Sequence, residues 1–180
     1  MTGERCAYLL RAVNVSGRNR VPMAELRALL SAEMDLGEVA TFIASGNVIA
    51  DATADPAAVC AEMRALIVTG FGVDTPVIAR TGRALADALD GNPFPDAAQD
   101  KLLHVMFLED HPVPGAVDAL RERLVPGERV ELRGADLWID YAPGGVHSTK
   151  LTRAVLDRCL GVAGTARNVR TVRTLAELTA

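Results

Sequence analysis

The chain has 180 residues, 49% apolar and 23% charged, with a formal net charge of −4. Such a length suits one domain or two small ones, and the balance excludes a disordered, collagen-like or coiled-coil chain. The charge is segregated: residues 1–20 (Arg5, Arg11, Arg18 and Arg20 against Glu4) carry +3, residues 145–180 carry +4, and the 124 residues between them carry −11. The first apolar stretch, Cys6–Leu10, is cut by Arg11, too short for a signal-peptide core or a membrane span. Cys6, Cys60 and Cys159 are too scattered for a disulfide framework or a CxxC pair. The expectation is a reduced, cytoplasmic protein with no membrane partner.

Cys6–Val15 is dominated by apolar side chains and reads as a buried strand, followed by a polar, glycine-containing loop over Asn14–Arg20. Pro22 suits a helix start, Met23, Leu26, Leu29 and Leu30 recur at helical spacing, and Gly37 follows the helix, which ends near Met34. Val39–Ala44 and Val48–Ala50 are β-prone runs around the Ser45-Gly46-Asn47 turn. Asp55 caps a helix with Pro56 in its first turn and Val59, Met63, Leu66 and Ile67 on its apolar face; Thr75–Ala79 is the next strand. The same order returns in strand Leu102–Leu108, helix Ala116–Leu124, strands Glu128–Leu132 and Leu137–Tyr141, helix Lys150–Leu160 and a short strand at Ala166–Val169. Helices over 81–90 and 171–179 follow the two halves.

Arg80-Thr81-Gly82-Arg83-Ala84-Leu85-Ala86-Asp87 also aligns with Arg170-Thr171-Val172-Arg173-Thr174-Leu175-Ala176-Glu177 at an offset of 90, with five identities. Repeated order and repeated residues indicate internal duplication. Each β-α-β-β-α-β half is the split βαβ, ferredoxin-like (α-β plait) arrangement, so the fold class is α+β. The expected organisation is a first half over 1–80, a connecting helix and Asn92-Pro93-Phe94 joint over 81–100, and a second half with a closing helix over 101–180.

Several motifs together resemble the DUF1697 family of uncharacterised bacterial proteins. They are Leu9–Met23 (LLRAVNVSGRNRVPM), Thr41–Val48 (TFIASGNV), Asn92-Pro93-Phe94, Thr149-Lys150-Leu151, and Thr165-Ala166-Arg167-Asn168 with Thr171-Val172. The resemblance implies two ferredoxin-like halves and no particular activity. The chain departs from it at Ala12 and Ser16, where glycine is usual, at Thr149, where serine is usual, and at Val169, where an aromatic is common.

The polar residues concentrate chemistry that suits an anion. Arg11, Asn14, Arg18, Asn19 and Arg20 surround a strand-to-helix loop, and a helix start offers free N–H groups and partial positive charge. Ser45 and Asn47 lie in the same half. Ser148, Thr149 and Lys150 are expected to open a second helix, with Thr165, Arg167 and Asn168 beyond it. The candidate ligand-binding residues are therefore Arg11, Asn14, Arg18, Asn19, Ser45, Asn47, Lys150, Arg167 and Asn168. The bland alternative is that Arg11 and Asn14 satisfy buried backbone while the outer arginines are solvated.

Other chemistries are poorly represented. His104, His111 and His147 have no metal-ligand spacing, no GxGxxG or Walker loop occurs, and no cofactor is indicated. Seven aromatics, a pI near 5.4 and the lack of a K/R-G-F/Y-x-F-V-x-F/Y strand argue against sequence-specific nucleic acid. The reading is a binding module for a small anionic, phosphorylated ligand. Its alternatives are a hydrolase or transferase using Lys150 or His147 as proton carrier, and a structural or interaction protein whose polar motifs only join the halves.

Overall fold

The computed structural model describes residues 4–52 and 55–180. The first half runs β1 (Glu4–Leu10), α1 (Met23–Glu33), β2 (Ala40–Phe42), β3 (Asn47–Ala52), α2 (Pro56–Phe71) and β4 (Val77–Thr81), followed by α3 (Gly82–Asp90). The second runs β5 (Leu103–Leu108), α4 (Ala116–Arg121), β6 (Arg129–Arg133), β7 (Asp136–Asp140), α5 (Arg153–Leu160) and β8 (Gly164–Asn168), followed by α6 (Val169–Leu178). The sheet orders are β2-β3-β1-β4 and β6-β7-β5-β8, every neighbour antiparallel. Two ferredoxin-like halves of one topology make up the α+β fold. Two compact units result, one of residues up to Leu85 with Leu175–Ala180, the other of Ala86–Thr174.

In the first unit, Cys6, Tyr8 and Leu10 of β1 turn toward Leu26 and Leu30 of α1 and Val59, Met63 and Ile67 of α2. Each such fully buried side chain contributes about 1.5–3 kcal/mol. Ala7 and Leu9, on the other face of the strand, are buried as well. This double burial makes β1 an unbroken apolar run rather than an alternation. The second unit repeats the arrangement with Met106, Leu108, Leu120, Ile139, Leu156 and Leu160. The C-terminal residues join the first unit: Arg5 Nε donates to Leu178 O at 3.1 Å, and Gly82 lies so close to Thr179 that a Cβ would sit 2.4 Å from its carbonyl oxygen.

Local chemistry sets the element ends. Asp55 caps α2 by accepting from the Ala58 N–H at 3.2 Å, as expected, with Pro56 in the first turn and Gly72 left-handed at the C-cap. β1 stops at Leu10, short of the expected Val15, because Ala12 and Asn14 take positive φ. α4 ends at Arg121 rather than Leu124. There the chain tightens into i→i+3 bonds, Arg123 to Leu120 and Leu124 to Arg121, before Pro126. α5 starts at Arg153, capped by Thr152, so Ser148, Thr149 and Lys150 do not open it. A single 3-10 turn over Gly145–His147 precedes them, and the Thr149 hydroxyl is spent on the Leu151 N–H at 3.0 Å.

The Asn92-Pro93-Phe94 segment has a specific anchor within the second unit. Asn92 Oδ1 accepts from the Phe94 N–H at 2.8 Å and presents a buried Phe94 ring beneath Arg129, 4.5 Å from the guanidinium carbon. Arg129 also donates to both carboxylate oxygens of Asp96 at 3.0 and 3.1 Å, and through Nε and Nη2 to Asp140 at 3.1 and 2.6 Å. A planar, fork-shaped cation is needed to stack on a ring and serve two carboxylates at once.

Gly46 shows how tightly the first unit is closed. Its φ is +85, and a Cβ there would lie 2.6 Å from Val13 Cγ2 and 2.8 Å from Leu10 Cβ, whereas Gly17 (φ +74) has open space around it. Gly17→Ala is expected to cost about 1 kcal/mol from backbone strain alone. Gly46→Ala adds overpacking and is expected to cost about 2–4 kcal/mol. Urea denaturation of the two variants reads the difference directly.

Candidate functional site

The first-half candidates meet at the carboxyl end of β1. Leu10 N donates to Gly46 O at 2.8 Å, which fastens the end of β1 to the turn before β3. Thr75, buried ahead of β4, fixes the next residue twice: its Oγ1 accepts from Arg11 N at 3.0 Å and donates to Arg11 O at 2.6 Å. Nothing in the sequence marked Thr75 for this role beyond a hydroxyl at a strand start.

Beyond Arg11 the chain folds on itself. Asn14 N donates to Asn19 O, and Arg18 N donates to Val15 O, both at 3.0 Å, making Val15 and Arg18 a bridge pair around Ser16-Gly17. Both central residues have positive φ, the pattern of a type I′ turn. Five non-glycine residues among those described have positive φ: Ala12 (51), Asn14 (54), Ser16 (52), Asn19 (50) and Ile43 (50). Four fall within eight residues of this loop, and the fifth lies in the turn beside it. For a non-glycine residue this conformation costs roughly 1–2 kcal/mol, less for Asn.

Asn14 holds the loop against that cost. Its Nδ2 donates to Val21 O at 2.9 Å and to Ala44 O at 2.8 Å, and its Oδ1 accepts from Val21 N at 2.9 Å. One amide thus ties the loop to the start of α1 and to the 43–46 turn. Asn19 Nδ2 donates to Ala12 O at 3.1 Å. Asn47, fully buried, donates to Phe42 O at 2.9 Å and Ser45 Oγ at 3.2 Å, closing the other side of the turn. Asn14, Asn19, Ser45 and Asn47 are therefore engaged with the fold itself. Arg18, Asn19 and Arg20 are exposed and Arg11 is half-buried. Pro22 supplies no capping side chain to α1.

The second-half candidates are arranged differently. Asn168 Oδ1 accepts from Thr171 N at 2.9 Å and caps α6. Arg167 is buried; its Nη1 donates to Thr165 Oγ1 at 2.8 Å and to Ala166 O at 2.9 Å, and burial pushes its guanidinium down to about 10. Lys150 is exposed, three residues ahead of α5. Arg80 on β4 is the counterpart of Arg167: it donates to Ala79 O at 2.9 Å, and Thr81 caps α3 as Asn168 caps α6, accepting from Ala84 N at 3.1 Å. Ala79-Arg80-Thr81 thus matches Ala166-Arg167-Asn168 at an offset of 87. The octapeptide match at 90 is out of structural register, since Arg80 lies in a strand and Arg170 in a helix.

His104, on β5, is half-buried with its ring edge-on to Tyr141 at 5.1 Å and Nδ1 3.2 Å from Leu102 O. Burial pushes the imidazole below its ordinary range, opposed in part by that carbonyl. Among the described residues no group of three or more His, Cys, Asp or Glu could hold a metal ion. No described helix is long and apolar enough to cross a membrane.

The fold is a pair of ferredoxin-like halves, with a strained, basic strand-to-helix connection in the first. A family model described as a protein of unknown function, DUF1697, matches residues 4–138, and the chain belongs to that family. The matched span includes the Leu9–Met23, Thr41–Val48 and Asn92-Pro93-Phe94 motifs; Thr149-Lys150-Leu151 and Thr165–Asn168 lie beyond it. Among solved structures, the conserved bacterial protein SP0830 from Streptococcus pneumoniae is similar over 98% of this chain and 98% of its own, at 21% identity and a TM-score of 0.76. That likeness is one of fold. No curated protein matches the chain.

Three outcomes test the geometry of the loop and the burial of His104. Ser16→Gly relieves a left-handed, exposed residue and is expected to stabilise by about 1 kcal/mol. Asn14→Asp keeps the bond from Val21 N but turns a carboxylate oxygen toward two carbonyls, and is expected to cost about 2–4 kcal/mol by urea denaturation at pH 7. For His104 the unfolded chain titrates near 6.5 and the folded one lower, so the unfolded state gains its proton first as pH falls. Stability is therefore expected to decline below about pH 6.5 until the folded-state value is reached, and denaturation midpoints of His104→Gln are expected to lack that decline.

Proposed function

We propose that the first unit binds a small anion, a phosphate group above all, at the β1–α1 connection. Arg18 and Arg20 supply bidentate charge, Arg11 at the base of the loop adds to the positive field, and the N–H groups opening α1 face an anion without a competing capping side chain. Glu25 in the first turn of α1 offsets part of that field. Asn14, Asn19, Ser45 and Asn47 act one step back, holding the loop in shape. Lys150, Arg167 and Asn168 have no part in the reading.

The observation that carries it is the concentration of left-handed residues. The equivalent connection of the second half, Glu109–Gly115, is acidic, and within it only Gly115 has positive φ. The topology therefore does not demand a strained loop at this position. Strain held at one loop by a dedicated hydrogen-bond set is characteristic of ligand-binding segments. Connections of this kind tolerate cheaper sequences, so the cost has a purpose beyond closing the chain.

Thermal-shift measurement against phosphate, sulfate, nucleotides and sugar phosphates tests the proposal. An anion at one hundred times its Kd is expected to add about 2.7 kcal/mol of stability. Arg18→Ala/Arg20→Ala is expected to lose that gain and Lys150→Ala to keep it. Absence of a shift with every anion, or a shift that survives in the double arginine variant, overturns the reading.

A further inference from the structure

We infer that the ligand is an organic phosphate monoester whose substituent is apolar, an inference that rests on the anion reading above and extends it. Val15 is 47% exposed and Ile43 is 50% exposed, both large apolar side chains. They stand on the two segments that Asn14 joins: Val15 follows Asn14, and Ile43 precedes Ala44, whose carbonyl receives the Asn14 amide. Val15 and Arg18 are cross-strand partners in the small hairpin around Ser16-Gly17. Directly opposed residues project to the same side, so an apolar side chain and a cation stand next to each other. Arg20 precedes Val21, which exchanges two hydrogen bonds with Asn14. Charge and apolar surface therefore gather around one amide.

Ile43 sharpens the argument. A β-branched residue in the left-handed region is an outlier, and this one also leaves half its side chain in water. Asn or Gly would close the same turn without strain. The size of the patch then selects the partner. Two half-exposed side chains supply far less than the roughly 1,200–2,000 Å² of a stable protein interface. They suffice for a short alkyl or similarly compact apolar group beside a phosphate. Inorganic phosphate would leave Val15 and Ile43 unused.

Isothermal titration with inorganic phosphate, butyl phosphate and hexyl phosphate, all as monomers in solution, tests the inference on the full chain. One-sided burial of the alkyl group is expected to make hexyl phosphate bind about tenfold more tightly than inorganic phosphate, with butyl phosphate between them. Val15→Thr/Ile43→Asn retains shape at position 15 and a residue that accepts left-handed φ at 43. It is expected to bind inorganic phosphate as the native chain does and to lose the gain with chain length. Equal affinity for phosphate and hexyl phosphate overturns this inference alone, as does a gain that persists in the double variant. Failure of all three compounds to bind the native chain overturns the anion reading together with it.

Discussion

The geometry of the first unit depends on one side chain, the Asn14 amide. Its three bonds, to both backbone groups of Val21 and to Ala44 O, join the β1–α1 loop, the start of α1 and the turn before β3 at one point. The two bonds to Val21 are partly buried, and there an unmade bond costs more than a made one contributes. Around it, Leu10 N on Gly46 O and the Val13 contact at Gly46 leave no room for a side chain at position 46. The Leu9–Met23 and Thr41–Val48 motifs are thus two halves of one structural element. Their residues serve each other: asparagine where a left-handed residue must also cap three groups, glycine where a Cβ would collide with β1.

Ala12 and Ser16 fit the same account. Glycine, the residue the family resemblance leads one to expect at both positions, adopts positive φ without steric cost. This chain carries alanine and serine there and still holds φ near +50 at both. The surrounding hydrogen bonds therefore over-determine the loop, and its shape does not depend on glycine being present. A loop that holds left-handed positions without glycine is fixed by its contacts.

Much of the fold could be read from the residues because the signals were local. Asp55-Pro56 marked a helix start that its own side chain enforces, and the apolar runs at Cys6–Leu10 and Leu102–Leu108 marked central strands buried on both faces. The start of α5 moved because two local signals compete there. Thr149 and Thr152 both offer a hydroxyl to a nearby N–H; Thr149 closes a turn onto Leu151 two residues on, and Thr152 reaches three residues on to begin α5. The offset of the repeat differs between residue identity and structure for a related reason. Identity in Arg-Thr-x-Arg outweighed the structural match of Ala-Arg-Thr with Ala-Arg-Asn, where Thr and Asn are different residues in the same capping role. At the candidate site, residue types were legible but their orientation was not. An asparagine that meets a ligand and one that braces a loop have the same letter, and only the bonds of Asn14, Asn47 and Asn168 distinguish them.

Two halves of equal topology also provide an internal comparison. The β5–α4 connection spans Glu109–Gly115 in seven residues, stiffened by Pro112 and Pro114, and joins strand to helix with no non-glycine residue at positive φ. The β1–α1 connection takes Arg11–Pro22, twelve residues, to make the same step. Proline restricts the unfolded chain, so the shorter connection gains stability from the feature that shapes it. The longer one does the opposite, ordering more residues and holding four of them in a disfavoured region. Folding alone favours the first solution at both places. An otherwise repeated fold keeps the costlier one, with exposed Arg18, Arg20 and Val15 on it, and the proposed anion site would give that difference between the halves a purpose.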